Sequence, residues 1–83
     1  MALEALREAK QRTVGVKQTE KAVGRQAVDV VYIGKDAEER IVARLIELCR
    51  EKGVATVCTE TMADIGQACA IHVKAAAAGI LKN

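Results

Sequence analysis

The run Val28-Asp29-Val30-Val31-Tyr32-Ile33 constrains this chain more than any other segment. Five of its six positions are β-branched or aromatic, so it reads as a central strand apolar on both faces. Such a strand needs cover on both sides, and the flanking sequence supplies helices. A helix from about Lys17 to Val23 stops at Gly24 on one flank. On the other, Asp36 with Glu39 forms a capping-box pattern, Ile41, Leu45, Leu48 and Cys49 make the buried stripe, and Lys52-Gly53 ends the helix with Gly53 as the C-cap.

The remaining segments continue the alternation. Leu3, Leu6 and Ala9 recur at helical spacing, so the first dozen residues are expected as an amphipathic helix, followed by a short extended stretch at Thr13-Val14. Val54 to Cys58 reads as a strand that opens into the loop Thr59-Glu60-Thr61-Met62. A helix from about Met62 to Ala68 follows, capped by Thr61 with Asp64. Ile71 to Val73 is expected as a last short strand, and Ala75 to Leu81 as a helix whose small residues allow close packing. Strands alternating with helices imply a three-layer α/β/α sandwich with a small mixed four-stranded sheet. Its 83 residues make one domain, 1–83, with Leu45, Leu48, Val30, Val57 and Ile65 expected in the core.

Composition excludes several classes. A hydrophobic fraction of 51% with no Pro and only 6 Gly is that of a packed globule and not of a linker. No apolar run is long enough to cross a bilayer, and Met1 to Arg7 alternates charge where a signal peptide would be apolar, so a cytoplasmic protein without membrane contact is expected. Cys49, Cys58 and Cys69 are odd in number, lack a CxxC spacing and sit among apolar neighbours, which predicts reduced thiols. With the lone His72, read as an exposed strand-face side chain, they do not make a metal site. No catalytic residue, metal ligand or cofactor site is expected, since paired carboxylates, a nucleophile–base pair and a P-loop are all missing from the sequence.

Charge is uneven. Residues 1–26 carry six basic side chains (Arg7, Lys10, Arg12, Lys17, Lys21, Arg25) against three acidic ones (Glu4, Glu8, Glu20), a surplus of three in a chain of net +2, which leaves −1 for the rest. Within this basic third, Gly15-Val16-Lys17-Gln18-Thr19-Glu20-Lys21 runs from a glycine turn into a helix start. A helix N-terminus offers unpaired N–H groups to phosphate, and a carboxamide such as Gln18 can read a base edge. An ordinary helix start with solvated lysines fits the same residues, and both readings stand at this point. If the Thr59–Met62 loop lies at the same end, two helix N-termini flank one groove, with Thr59 and Thr61 hydroxyls and the apolar Met62 suited to a splayed nucleotide. Capping threonines and a core methionine are the plain alternative.

Three segments in order carry a family likeness: Gly15 to Ala22, Val31-Tyr32-Ile33-Gly34-Lys35-Asp36-Ala37, and Ile65 to Ala78. Together they resemble the kink-turn RNA-binding ribosomal proteins of the L-seven-Ae/L-thirty-e family, in particular its small bacterial branch. The resemblance implies an α/β/α fold that clamps a helix–internal loop–helix RNA with tandem sheared G·A pairs. The family motif G-x-N-E-x-x-K maps onto Gly15, Lys17, Gln18 and Lys21 with Val16 between them. Gly15 then permits close backbone approach, Gln18 reads a guanine edge, and Lys17 and Lys21 hold base edges and phosphates. Lys35 of the second segment joins them. The archaeal Asn-Glu is Lys-Gln here, which removes an anionic acceptor and adds a cation, so phosphate contacts gain weight and a carboxylate restored at position 18 is expected to suit guanine donors. The loop that packs on the extruded nucleotide maps onto Thr59, Glu60, Thr61 and Met62, with Glu60 facing phosphate unfavourably unless it turns outward.

The implied partner is a kink-turn, in ribosomal RNA and the ribosomal subunit or elsewhere, bound by a monomer. Tyr32 is the sole aromatic residue, which argues against modules that stack bases on aromatic platforms. A protein-interaction adaptor of the same fold that has lost RNA binding is the alternative, and a remnant domain of an RNA-modifying enzyme is the least favoured.

Overall fold

The computed structural model describes residues Leu3–Lys82; Met1, Ala2 and Asn83 lie outside it, and with them the first two residues of the N-terminal helix reading. The elements are α1 (Glu4–Glu8), β1 (Arg12–Val14), α2 (Val16–Gly24), β2 (Val28–Ile33), α3 (Glu39–Lys52), β3 (Ala55–Val57), α4 (Met62–Ala68) and β4 (Ala77–Leu81). Four strands form one sheet in the order β1-β4-β2-β3. β4 runs antiparallel to both β1 and β2, while β2 and β3 are parallel, so the sheet is mixed.

Helices cover both faces, as the β2 pattern demands. On one face Val23 of α2 and Val42, Leu45 and Cys49 of α3 pack on Val28, Val31, Ile33 and Ala77. On the other, Leu6 of α1 and Ile65 and Ala68 of α4 pack with Leu3, Cys69 and Ala75 on Tyr32 and Ala78. The three-layer α/β/α sandwich is therefore the architecture observed.

Several local expectations are corrected. Ala75 to Leu81 is not a helix: Ala77–Leu81 is β4, paired on both sides in the middle of the sheet. Alanine favours helix locally, but the space here admits only small side chains. A Cβ at Gly79 would stand 2.9 Å from Thr13 Oγ1 and 3.2 Å from Val28 Cγ1, so the strand alternates nothing and looks like no strand in sequence. The expected strand Ile71–Val73 is an irregular connection, and His72 is exposed on it. The first helix is only five residues long, because the chain must turn back to lay β1 against β4.

In α3 the buried stripe is Val42, Leu45 and Cys49, whereas Ile41 is 47% exposed and Leu48 only half-buried. Val30 and Val57 are also half-buried, while Leu45 and Ile65 are fully enclosed. Asp36 does not cap α3. The N-cap is Glu38, which makes no side-chain cap bond. Gly53, at φ 70°, does terminate the helix in the left-handed conformation, its N–H bonded to Arg50 O.

Cys49 and Cys69 are buried, and burial pushes both thiols up, with the Arg12 guanidinium pulling Cys69 partly back. Cys58 departs from the expectation of an apolar setting and is exposed.

Candidate nucleic-acid interface

The register of the sheet decides where the loops go. Val14, the last residue of β1, pairs with Ala78, and Ile33, the last of β2, pairs with Ala77. Val57, the last of β3, pairs with Tyr32. The chain thus leaves β1, β2 and β3 at one edge of the sheet, the edge at which it enters β4. Gly15, Val16, Lys17 and Gln18, then Lys35, then Thr59, Glu60, Thr61 and Met62 are brought to that single end. Lys21 sits one turn further along α2, exposed.

Backbone bonds lock the three connections together. Gly15 N–H donates to Ala77 O at 2.8 Å, Gly34 N–H to Ala76 O at 2.9 Å and Lys35 N–H to Glu60 O at 2.8 Å. A Cβ at Gly34 would run into Met62 Cγ and lie 3.1 Å from Met62 N, so this glycine is what lets the second and third connections touch. Gly15 has φ 97° with open space around it; its requirement is conformational, and it leaves the approach to the helix start clear.

The two helix starts are not equivalent. At α4 the first donors are consumed by the fold: Met62 N–H donates to Asp36 Oδ1 at 2.8 Å and Asp64 N–H to Thr61 Oγ1 at 3.1 Å. The Thr61–Asp64 cap is as expected, and Asp36 caps α4 across the loops instead of α3 within its own. The expected pair of open N-termini is therefore reduced to one. At α2 no side chain caps the helix through the N-cap residue Gly15, and its first turn carries no acidic residue. The first N–H groups of α2 therefore lack a side-chain cap, at the positive end of the helix and beside the exposed Lys17.

Gln18 has a defined orientation. Its Oε1 accepts a hydrogen bond from Val14 N–H at 2.7 Å, which fixes the oxygen inward and leaves the amide NH2 as the outward group. A Gln three residues after the N-cap is a partial sequence signal, since it stands where a capping box reaches back. Here it accepts from Val14 N–H, one residue before the N-cap, and Gly15 N–H goes to Ala77 O. The outward group of the carboxamide is thus a donor.

Glu60 is half-buried and its Oε2 accepts from Thr59 Oγ1 at 3.3 Å, so its charge is held beside that hydroxyl. Thr61 and Met62 are half-buried, and Lys35 is exposed.

Two features were missed in the sequence. The connection from α4 to β4, taken as a strand, borders the same edge, and on it Val73 is 69% exposed beside Lys74. An exposed branched residue between His72 and Lys74 was the available signal. Gly66 backs this connection, since a Cβ there would strike Val73 O. Conversely, Arg12 is withdrawn from the basic count: its guanidinium donates to Leu6 O at 3.3 Å and Cys69 O at 3.2 Å, tying the ends of α1 and α4 to β1. Among the described residues no cluster of His, Cys, Asp or Glu could hold a metal ion, and no helix is long and apolar enough to cross a membrane.

Known proteins agree with this architecture. The model of the ribosomal protein L7Ae/L30e/S12e/Gadd45 family matches residues 1–83. The chain belongs to that family. An RNA-binding protein of Caldanaerobacter subterraneus is 51% identical over 67 residues, which covers 81% of this chain and 82% of that protein. The large ribosomal subunit protein eL8 of Halobacterium salinarum is 36% identical over 81 residues, 96% of this chain and 68% of the relative. Among solved structures, the 15.5kD RNA-binding protein of Giardia lamblia superposes with a TM-score of 0.82 at 31% identity, over 95% of this chain and 65% of that one. The L7Ae-family likeness read from three sequence segments thus extends over the whole chain.

Proposed function

We propose that this L7Ae-family chain binds RNA at the loop edge of its sheet and recognises a kink-turn there, in a ribosomal or other structured RNA. The observation that carries the reading is the contrast at that edge. Of two helix starts brought to the same end of the sheet, one has donors taken up by Asp36 and Thr61, and the other has no side-chain cap and stands beside Lys17, Gln18 and Lys21. A fold that needed only caps would close both.

The recognition follows from the geometry. Phosphate oxygens sit at the start of α2, where backbone N–H groups, the helix dipole and Lys17 converge. Gln18, pinned through its oxygen, presents two N–H donors to acceptors on a base edge, such as the O6 and N7 of a guanine. Lys21 and Lys35 contact flanking phosphates and fix the register without reading sequence. Thr61, Met62 and the exposed Val73 border the opposite wall, where an extruded nucleotide lacks any aromatic platform and rests on aliphatic surface. Relatives named as RNA-binding and ribosomal proteins support the same assignment.

The test is a titration of the protein against a kink-turn duplex and against the same duplex with its sheared G·A pairs replaced by Watson–Crick pairs. A clear preference for the kink-turn at moderate salt is expected. Equal affinity for both would reduce the interaction to charge attraction.

A further inference from the structure

Beyond the loop edge, the cations of α2 continue away from it. Lys17, Lys21 and Arg25 follow one another at intervals of four residues, so they lie on one side of the helix over about 12 Å. A groove of about 330 Å³ beside them is lined by Gln18, Lys21 and Arg25 together with Arg12, and no acidic residue lines it. Arg25 also lines a second, larger cavity of about 600 Å³ at the far pole, where Lys52 and Lys82 face a single carboxylate, Asp29. The Lys82 N–H to Ala27 O bond of 2.8 Å joins the backbone where the two concavities meet.

These cations are not committed to the fold. Among the described residues the ion pairs are Arg40–Glu38 and Arg50–Glu47, and neither involves Lys17, Lys21, Arg25, Lys52 or Lys82. Against the five cations stand Asp29 and about half a negative charge from the end of each of α2 and α3, while Glu20 and Glu51 lie on the same helices but line neither concavity. The longest dimension of the molecule is 30 Å, comparable to about one turn of a nucleic-acid duplex.

We propose that this strip is a track for the phosphate backbone of one RNA stem, running from the kink at the start of α2 to a terminal phosphate-binding cavity formed by Arg25, Lys52 and Lys82. It rests on the kink-turn reading and extends it from the kink to the stem beyond. Contacts of this kind are indifferent to sequence and add affinity in proportion to the phosphates neutralised.

The experiment compares three RNAs that share one kink-turn: both stems cut to about 4 bp, and each stem in turn extended by about one helical turn. Wild-type protein is expected to bind one of the two extended RNAs about tenfold more tightly at low salt. With two to three further phosphate contacts the salt-dependent loss between 50 and 200 mM is about 10-fold or more, so the advantage is erased at 200 mM salt. The variant R25Q/K52Q/K82Q, checked for an unchanged melting curve, keeps wild-type affinity for the short RNA and loses the gain from extension. No gain in the wild type, an equal gain from either stem, or a gain retained in the variant would overturn the track. So would a strip that takes up poly-glutamate and ignores stem length, which would make it a docking surface for an acidic protein. If the short kink-turn and its Watson–Crick control bind equally while extension still helps through these three cations, kink recognition fails and the track stands.

Discussion

The turn into α2 and the turn into α4 occupy similar places in the fold and end in opposite states. Each follows a three-residue strand at the same edge of the sheet, and each opens a short helix. The α4 start is closed by Thr61 from within and Asp36 from the neighbouring connection. The α2 start is left open, with a glycine in place of a capping hydroxyl and Gln18 reaching back past it to Val14. A helix start with satisfied donors is architecture; one with donors to spare is available to a ligand, and the fold carries one of each at one end of the sheet. The difference lies in who supplies the acceptor, and that partner can be far away in sequence: Asp36 is 26 residues from Met62.

Both turns hang on the same scaffold, and the largest expected effect comes from removing it. Leu45 of α3 is fully buried against the β2 face. Leu45→Ala should cost about 2–5 kcal/mol in a urea melt, the range for emptying an enclosed leucine site. Because the two turns share one sheet edge, kink-turn binding and folding should then be lost together along the denaturant axis. Binding that survives where the far-ultraviolet signal has gone would mean that the α2 turn acts without the scaffold.

Next in size is the open turn itself. Gln18→Ala should weaken kink-turn binding by about 1–3 kcal/mol, the range for a base-reading side chain, with little change for an unrelated duplex. An equal loss on both RNAs would turn Gln18 into a general contact and remove the distinction between reading and positioning.

How far the two turns could be read from sequence differs for physical reasons. The β2 strand, Leu45, Gly53 and the Thr61–Asp64 cap were legible because each is decided within a few residues, by branching, periodicity or a cap. The Gly15 turn was legible through its glycine and its charge. What failed was decided across the chain. Asp36 looks like the cap of the next helix until the third connection places Met62 N–H in front of it. β4 looks like a helix because its alanines are chosen by space between two layers, not by backbone preference. That misreading in turn hid the connection carrying Val73 from the site. Arg12 counted as a free cation until the ends of α1 and α4 claimed it.

The closed turn gives the third test. Asp36→Ala leaves Met62 N–H without its acceptor and should lower stability by about 0.5–2 kcal/mol, as for loss of a helix cap. Thr61→Ala should act within the same range through Asp64 N–H. Neither should change the salt dependence of RNA binding, since neither side chain is offered to phosphate as a charge. A steepened salt slope in Asp36→Ala would show instead that the carboxylate had been repelling the RNA, and that the turn is not purely architectural.

The smallest change is the most discriminating, because the open turn predicts opposite signs for it in two measurements. Gln18→Glu keeps an oxygen in place to accept from Val14 N–H, and it puts a negative charge in the first turn of α2, where none now stands. A carboxylate near a helix N-terminus contributes about 0.3–1 kcal/mol, so the variant should be slightly more stable than the parent in thermal or urea melts at neutral pH. The gain should disappear as the pH falls through the carboxylate range, since protonation removes the charge that interacts with the dipole. Binding should move the other way. The outward group changes from two donors to an acceptor, and the new charge stands where phosphate would lie, so kink-turn affinity should fall at least as far as in Gln18→Ala. Greater stability with weaker binding is the signature of a helix start left uncapped for a ligand. Greater stability with stronger binding would mean that the base edge at position 18 presents donors, and that the amide turns over to meet it when RNA arrives.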